Sequence, residues 1–304
     1  MNTTLRAEAE RAGEWGWTPS PKTAPFIVSG RTCISFSGGR TSAYMLWRVL
    51  SVGGGLPPDT VVAFANTGKE NEETLRFVNE CATLWNVPIV WLEYRADEPG
   101  FEVVTFETAS REGEPFEALV RKRKYLPNPV SRFCTSELKI RTMHRYLKSI
   151  GWGDGNGWDQ MIGIRADEHR RVSKIRARGG STESAHETMC MPLADAGVGV
   201  REVLDFWAGQ PFDLGLEVVN GRTPDGNCDM CFLKPPGVRL SIIRRAPQKP
   251  IWWMRMESLL KDSTGRGAVF CAHEPSYAAL VDFAERQVDL FEDADAAVDC
   301  FCGD

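Results

Sequence analysis

Cys228 and Cys231 stand in Asn227-Cys-Asp-Met-Cys-Phe-Leu-Lys234, a C-x-x-C spacing that lets two sulfurs face one metal. No second C-x-x-C exists, so a four-cysteine zinc ribbon is excluded. A further cysteine lies in Arg132-Phe-Cys134-Thr-Ser-Glu-Leu-Lys139-Ile-Arg141, at an expected helix start. There the helix dipole and nearby Arg and Lys favour the thiolate, which ligates a metal or attacks an electrophile. Cys134 is therefore the natural third ligand. Cys190 is taken as the fourth, with Cys271, a tail cysteine, His186 or an exogenous ligand also open. Such a thiolate set suits a [4Fe-4S] cluster, with structural zinc as the alternative.

A second kind of chemistry lies in Ile34-Ser-Phe-Ser37-Gly38-Gly39-Arg40-Thr41-Ser42. It reads as a strand end, a glycine turn and the first turn of an apolar-rich helix. Two glycines let backbone N–H groups approach an anion, and the helix N-terminus adds partial positive charge. Ser37, Thr41 and Ser42 add hydroxyls, making a phosphate or sulfate cradle. It is neither a Walker A loop nor a dinucleotide G-x-G-x-x-G. Asn66-Thr67-Gly68-Lys69-Glu70 follows a second strand and offers a glycine turn against a nucleotide, with Asn66 as a polar contact. Gly163-Ile-Arg165-Ala-Asp-Glu168 ends another strand and presents a guanidinium suited to phosphate or sulfate. The last constellation is Cys300-Phe-Cys302 in an acidic tail, read either as a swinging thiol pair or as an inert terminus.

In this order the segments resemble those of the PP-loop superfamily, and within it the phosphoadenosine phosphosulfate (PAPS) reductase-like family. Ser37–Ser42 resembles S-G-G-x-D-S, with Thr41 where many members carry Asp. Asn66–Glu70 resembles (N/D)-T-G-x-E, Cys134–Lys139 resembles C-(C/T)-x-x-L-K, and Gly163–Glu168 resembles G-I-R-x-(D/E)-E. The C-terminal C-x-x-C is similar to that of a phage and bacterial subgroup. The resemblance implies an adenine nucleotide ligand, PAPS, adenylyl sulfate or ATP, held by Ser37, Gly38, Gly39, Arg40, Thr41, Ser42, Asn66, Thr67, Gly68 and Glu70. It implies sulfur transfer or sulfur reduction, with Cys134, Lys139, Arg165, Cys300 and Cys302 as the catalytic set. Thioredoxin is a possible electron donor. An ATP-dependent sulfurtransferase acting on tRNA or DNA is a competing reading, and a zinc-stabilised nucleotide-binding module without turnover is a third.

The elements that position these residues alternate along the chain. Strands at 33–36, 60–65, 87–92 and 160–164 are separated by helices from 42, over 71–85 and over 136–150. This pattern predicts a doubly wound, mainly parallel α/β sheet of the adenine nucleotide α-hydrolase-like kind, with ligands at the carboxyl ends of the strands. Residues 94–131 read as loop with one short helix near 116–123. Beyond about 190 the chain becomes helical and loop-rich, with helices at 201–208, within 240–260 and at 275–288. The expected organisation is an arm over 1–30 pinned by Trp15 and Trp17, a nucleotide-binding domain over 31–185, and a helical, cysteine-bearing region over 186–304.

Composition narrows the class. The 304 residues are 42% hydrophobic and 25% charged, those of a soluble globular protein. No apolar run is long enough for a membrane span, and no apolar leader opens the chain, so a cytoplasmic protein with reduced cysteines is expected. The nine cysteines then read as metal or redox chemistry plus core packing, with Cys33 and Cys81 in the core. Net charge is −5, yet residues 121–178 carry 15 Lys and Arg against 5 Asp and Glu, a balance of +10. A basic middle in an acidic chain points to a polyanionic ligand.

Overall fold

The computed structural model describes residues 20–181, 184–264 and 268–286. Trp15, Trp17 and the Cys300-Phe-Cys302 tail lie outside the described residues.

Among the described residues, six strands make one sheet in the order β4-β3-β2-β1-β5-β6. They are β1 (Thr32–Ser35), β2 (Thr60–Asn66), β3 (Ile89–Tyr94), β4 (Phe101–Val104), β5 (Trp158–Ile162) and β6 (Glu187–Cys190). β1 pairs in parallel with β2 and with β5, and β5 with β6. The chain starts in the middle, builds outward through β2, β3 and β4, then returns to the other side of β1. That reversal makes the carboxyl ends of β1 and β5 a topological switch point, where ligands of doubly wound folds bind. The expected α/β architecture is therefore present, with two strands, β4 and β6, that the sequence pattern leaves in loops. Each has only four residues, too few for period-2 alternation to stand out.

The longer helices among the described residues are α1 (Arg40–Gly53), α2 (Glu72–Leu84), α3 (Glu114–Arg123), α4 (His169–Arg178), α5 (Val200–Ala208), α6 (Pro236–Arg245), α7 (Pro250–Thr264) and α8 (Tyr277–Arg286). α1 buries Ala43, Tyr44, Met45, Leu46 and Val49, a stripe with helical spacing. The helix expected over 136–150 is irregular: Ser136–Arg141 is π-helical, and the Thr142 hydroxyl donates to the Glu137 carbonyl five residues back. The basic segment after Arg165 is helix α4. Among the described residues, no helix is long and apolar enough to cross a membrane.

The chain forms two compact units, neither continuous in sequence. The first holds the described residues of Met1–Ala65, Thr74–Trp91 and Tyr146–Leu214; the second holds those of Asn66–Glu73, Leu92–Arg145 and Gly215–Asp304. The core of the second unit is rich in aromatics, among them Trp252, Trp253, Phe270 and Tyr277, and it contains Cys228, Cys231 and Cys271.

Candidate nucleotide and thiol sites

The first unit carries the Ser37–Ser42 loop, the expected anion cradle. After β1 the chain turns through Gly38, whose φ of +77° strains any other residue. A Cβ there would lie 2.6 Å from Thr74 Cγ2 on α2, so Gly38 is fixed by packing as well as by dihedral. Gly39 begins α1 in extended conformation without a side-chain cap, and a Cβ there would meet only Ser37 Oγ, at 3.7 Å. The loop closes on Ser42: the Ser37 N–H donates to Ser42 Oγ at 3.1 Å, and Ser42 Oγ donates to the Gly39 carbonyl at 3.0 Å. Ser42 is buried, so it shapes the loop, whereas Ser37 is exposed and Gly39 and Thr41 partly so.

Arg165 joins this loop from the end of β5. Its Nη1 donates to Thr41 Oγ1 at 3.1 Å, and its Nε to Asp167 Oδ1 at 2.9 Å. Close packing makes the meeting possible, because a Cβ on Gly163 would stand 2.9 Å from Ser42 Cα. Two motifs 124 residues apart thus meet at the switch point. Arg40 faces elsewhere. It is buried, its Nε donates to Asp213 Oδ1 at 2.7 Å, and its carbonyl accepts from Trp207 Nε1 at 2.9 Å. Of the expected nucleotide contacts in this loop, Arg40 ties α1 to α5 and the following loop, and Gly38 and Ser42 hold the turn. Ser37, Gly39, Thr41 and Arg165 form its accessible side.

The second unit contains the Asn66–Glu70 segment, which belongs to a buried polar network. Asn66 is fully buried. Its Nδ2 donates to Glu93 Oε1 at 2.7 Å and to the Ser110 carbonyl at 2.8 Å, while its Oδ1 accepts the Gly68 N–H at 3.0 Å. Glu70 Oε2 accepts from the Thr67 N–H and hydroxyl at 2.9 and 2.8 Å. The segment is zipped to the C-x-x-C turn. Glu70 forms a β-bridge with Cys228, the Asp229 N–H donates to the Lys69 carbonyl at 2.7 Å, and Lys69 Nζ stands 3.0 Å from Asp229 Oδ2. Thr67 Oγ1 lies 3.5 Å from Cys228 Sγ. With its hydroxyl proton given to Glu70, Thr67 is the acceptor and the Cys228 thiol the donor. Glu70 Oε1 is buried without a hydrogen bond, 3.7 Å from Lys139 Nζ. Asn66, Thr67 and Glu70 therefore form the bed of the C-x-x-C, and Lys139 is brought to the same bed.

Cys228, Cys231 and Cys271 are buried in one apolar core, and Cys134 packs against it. Burial pushes the Cys271 thiol up to about 11, and Glu274 adds to the shift. Among the described residues, no three His, Cys, Asp or Glu side chains converge closely enough to hold one metal ion. The thiols as arranged do not make a tetrahedral zinc site, which needs its sulfurs around one ion at about 2.3 Å. Cys134, Cys228 and Cys231 are gathered at one apolar, sulfur-bearing core. Cys190 is elsewhere: it lies half-buried on β6 in the first unit, outside that core, 3.8 Å from the Thr188 carbonyl. Burial pushes its thiol up to about 11. Cys33 is a core residue, as expected, with its thiol raised to about 12 by burial, and burial likewise raises Cys81.

Several residues that build these sites carry no motif. Glu93, fully buried, also accepts from the Ser110 N–H and hydroxyl at 2.6 and 2.7 Å, and so fixes Asn66. Asp229 further accepts from Trp253 Nε1 at 3.0 Å and the Met230 N–H at 2.7 Å. Arg239 is buried against Glu274 and the Tyr277 ring. Only a charged residue inside an apolar run, as at Arg239 or Asp229, could have signalled them.

No family model matches the chain. It is similar to the uncharacterized nin region protein ORF290 of Escherichia phage lambda, 32% identical over 212 residues, 66% of this chain. The match covers 65% of that protein, just under two thirds of its length. Among solved structures, a PAPS reductase from Candida auris in its phosphate complex gives a TM-score of 0.41 at 12% identity, over 72% of this chain and 95% of that one. The U34-tRNA thiolase NcsA from Methanococcus maripaludis, with its [4Fe-4S] cluster, gives 0.35 at 14% identity, over 93% of this chain and 79% of that one.

Proposed function

We propose that this chain is a PAPS reductase-like PP-loop enzyme that binds an adenine nucleotide and transfers or reduces sulfur. One observation carries the reading: Arg165 is hydrogen-bonded to Thr41 at the carboxyl end of β1, beside a helix start that no side chain caps. A phosphate or sulfate group there meets a guanidinium, two hydroxyls and helix N–H groups together. Ser37, Gly39 and Thr41 orient the anion, and Arg165 neutralises charge on it.

The second unit supplies the sulfur-handling groups. Cys134, Cys228 and Cys231 would hold a [4Fe-4S] cluster, which when bound supplies a redox-active, sulfur-binding centre. The chain's own part is to keep these thiols in an apolar core, with Thr67 and Glu70 fixing the C-x-x-C turn and Lys139 adding positive charge at the same bed. Cytoplasmic reduced thiols and the tail pair Cys300 and Cys302 belong to this proposal as well.

The test pairs ligand binding with product release. Calorimetry with ATP, adenylyl sulfate and PAPS identifies the nucleotide. Sulfite released from an adenylyl sulfate with a thioredoxin-type dithiol donor supports reduction; pyrophosphate released from ATP on adding an acceptor supports transfer. Binding of none of the three nucleotides defeats the proposal.

A further inference from the structure

Between Arg121 and Arg145 the second unit carries eight Lys and Arg against one carboxylate, Glu137, a formal balance of +7. The structure shows what that one carboxylate does. Glu137 is buried and paired with three guanidiniums: Arg123, Arg141 at 2.9 Å and Arg145 at 3.2 Å. Burial alone would raise its carboxyl, yet the three cations hold it below its ordinary range. The four groups together carry a net charge of +2 on a single spot.

These guanidiniums are also held against rings. Arg123 lies over the Phe133 ring at 5.7 Å and Arg145 over Tyr94 at 6.0 Å. Pre-oriented guanidinium edges suit phosphate oxygens better than freely swinging lysines do. Asp97, in the turn between β3 and β4, is the other carboxylate acting on Tyr94, and Glu117 on α3 pairs with Arg121 at 2.6 Å; the balance stays positive with both counted.

An aromatic ring completes the surface. Residues 121–125 are all exposed, and Tyr125 is 43% exposed with its ring edge-on to Phe133 at 4.7 Å. A ring braced from behind and open in front is a stacking platform. The basic helix α4 of the first unit differs, since its ten residues include no Phe, Tyr or Trp.

We infer that this face binds a nucleic acid with unpaired bases, its phosphates on the Arg123–Arg145 cluster and Lys122–Lys124, and one base stacked on Tyr125. A small anion needs fewer cations, and an acidic peptide has no use for the ring. Such a nucleic acid is the acceptor class for the sulfur chemistry proposed above, and its purpose rests on that reading. Binding itself requires neither nucleotide nor turnover, so the two fail separately.

The experiment is fluorescence anisotropy of the full chain with a labelled RNA hairpin, its DNA counterpart and a blunt duplex of equal length, titrated from about 50 to 200 mM salt. The hairpin of one polymer is expected to bind well above the duplex, and the tighter one identifies the polymer. Replacing Lys122 and Lys124 by Ala together should flatten the salt dependence by about 1 to 1.5 in log–log slope, the change for two lost single-strand phosphate contacts. Tyr125→Ala should weaken the hairpin roughly ten-fold while Tyr125→Phe binds like the parent. These positions are exposed, and an unchanged melting temperature verifies folding. Equal binding of hairpin and duplex, or a Tyr125→Ala variant that binds like the parent, overturns the inference.

Discussion

Arg165 and Thr41 meet across the switch point of the sheet, with Arg165 Nη1 donating to Thr41 Oγ1 at 3.1 Å. The hydroxyl at 41 accepts from Arg165 without adding negative charge to the loop proposed to hold an anion. Thr41→Val removes the acceptor and keeps the shape. It should weaken nucleotide binding about five-fold, the loss of roughly 1 kcal/mol for one hydrogen bond, with an unchanged melting temperature. Calorimetry and a thermal scan measure the two effects separately.

The two glycines of the cradle should behave oppositely. Gly38→Ala places a methyl 2.6 Å from Thr74 Cγ2 at a φ of +77°. It should destabilise the protein by about 2 kcal/mol or more, from overpacking and backbone strain together. Gly39→Ala has ordinary dihedrals and space, so stability should stay within about 0.5 kcal/mol of the parent. Its methyl nevertheless projects beside Ser37 Oγ, and nucleotide binding should fall. Urea unfolding and calorimetry on the pair separate a folding role from an anion-binding role.

Asp229 ties the C-x-x-C turn to the Asn66–Glu70 loop through a buried pair with Lys69. Asp229→Ala leaves Lys69 buried without that carboxylate and should cost about 3–5 kcal/mol. The exposed pair of Asp282 and Arg286 is the control, and Asp282→Ala should cost less than about 1 kcal/mol. Comparable losses in the two variants by denaturant titration would refute the pinning role.

Burial pushes Glu257 up to about 7, against hydrogen bonds from the backbone of Tyr277 and Phe270 and the charge of Arg239 that pull it down. A folded-state value above the unfolded one, 4.5, means the folded chain binds the extra proton. The stability this lends is full below about pH 4.5 and is lost as pH rises through about 7. The total is on the order of 3 kcal/mol. Glu257→Gln should lose this dependence: its melting temperature should fall less than that of the parent between about pH 5 and pH 8.

How much of this is legible in sequence follows from the range of each interaction. The strand–turn–helix at Ser37–Ser42 is local, so residue type and spacing announce it. Arg165 is legible as a strand-end guanidinium. Asn66-Thr-Gly is visible as a motif, but its buried bonds are not, because Cys228 and Asp229, to which it is zipped, lie some 160 positions away. Arg40 reads as an anion contact, and only the fold shows Asp213 waiting for it. The π-helical stretch after Cys134 keeps no 3.6-residue period, and β4 and β6 are too short to show one of 2. The thiols of Cys134, Cys228 and Cys231 can be named from spacing and context. Cys271 joins their core through the packing of α6, α7 and α8, which no spacing records.

The anion cradle is the central claim, and calorimetry of the parent and Arg165→Ala with ATP, adenylyl sulfate and PAPS tests it most directly. At least one of the three should bind the parent with one-to-one stoichiometry and bind Arg165→Ala about ten-fold or more weakly, as expected for a lost charged hydrogen bond of about 1.5–3 kcal/mol. Equal affinity in parent and variant, or no binding of any of the three to the parent, would contradict it.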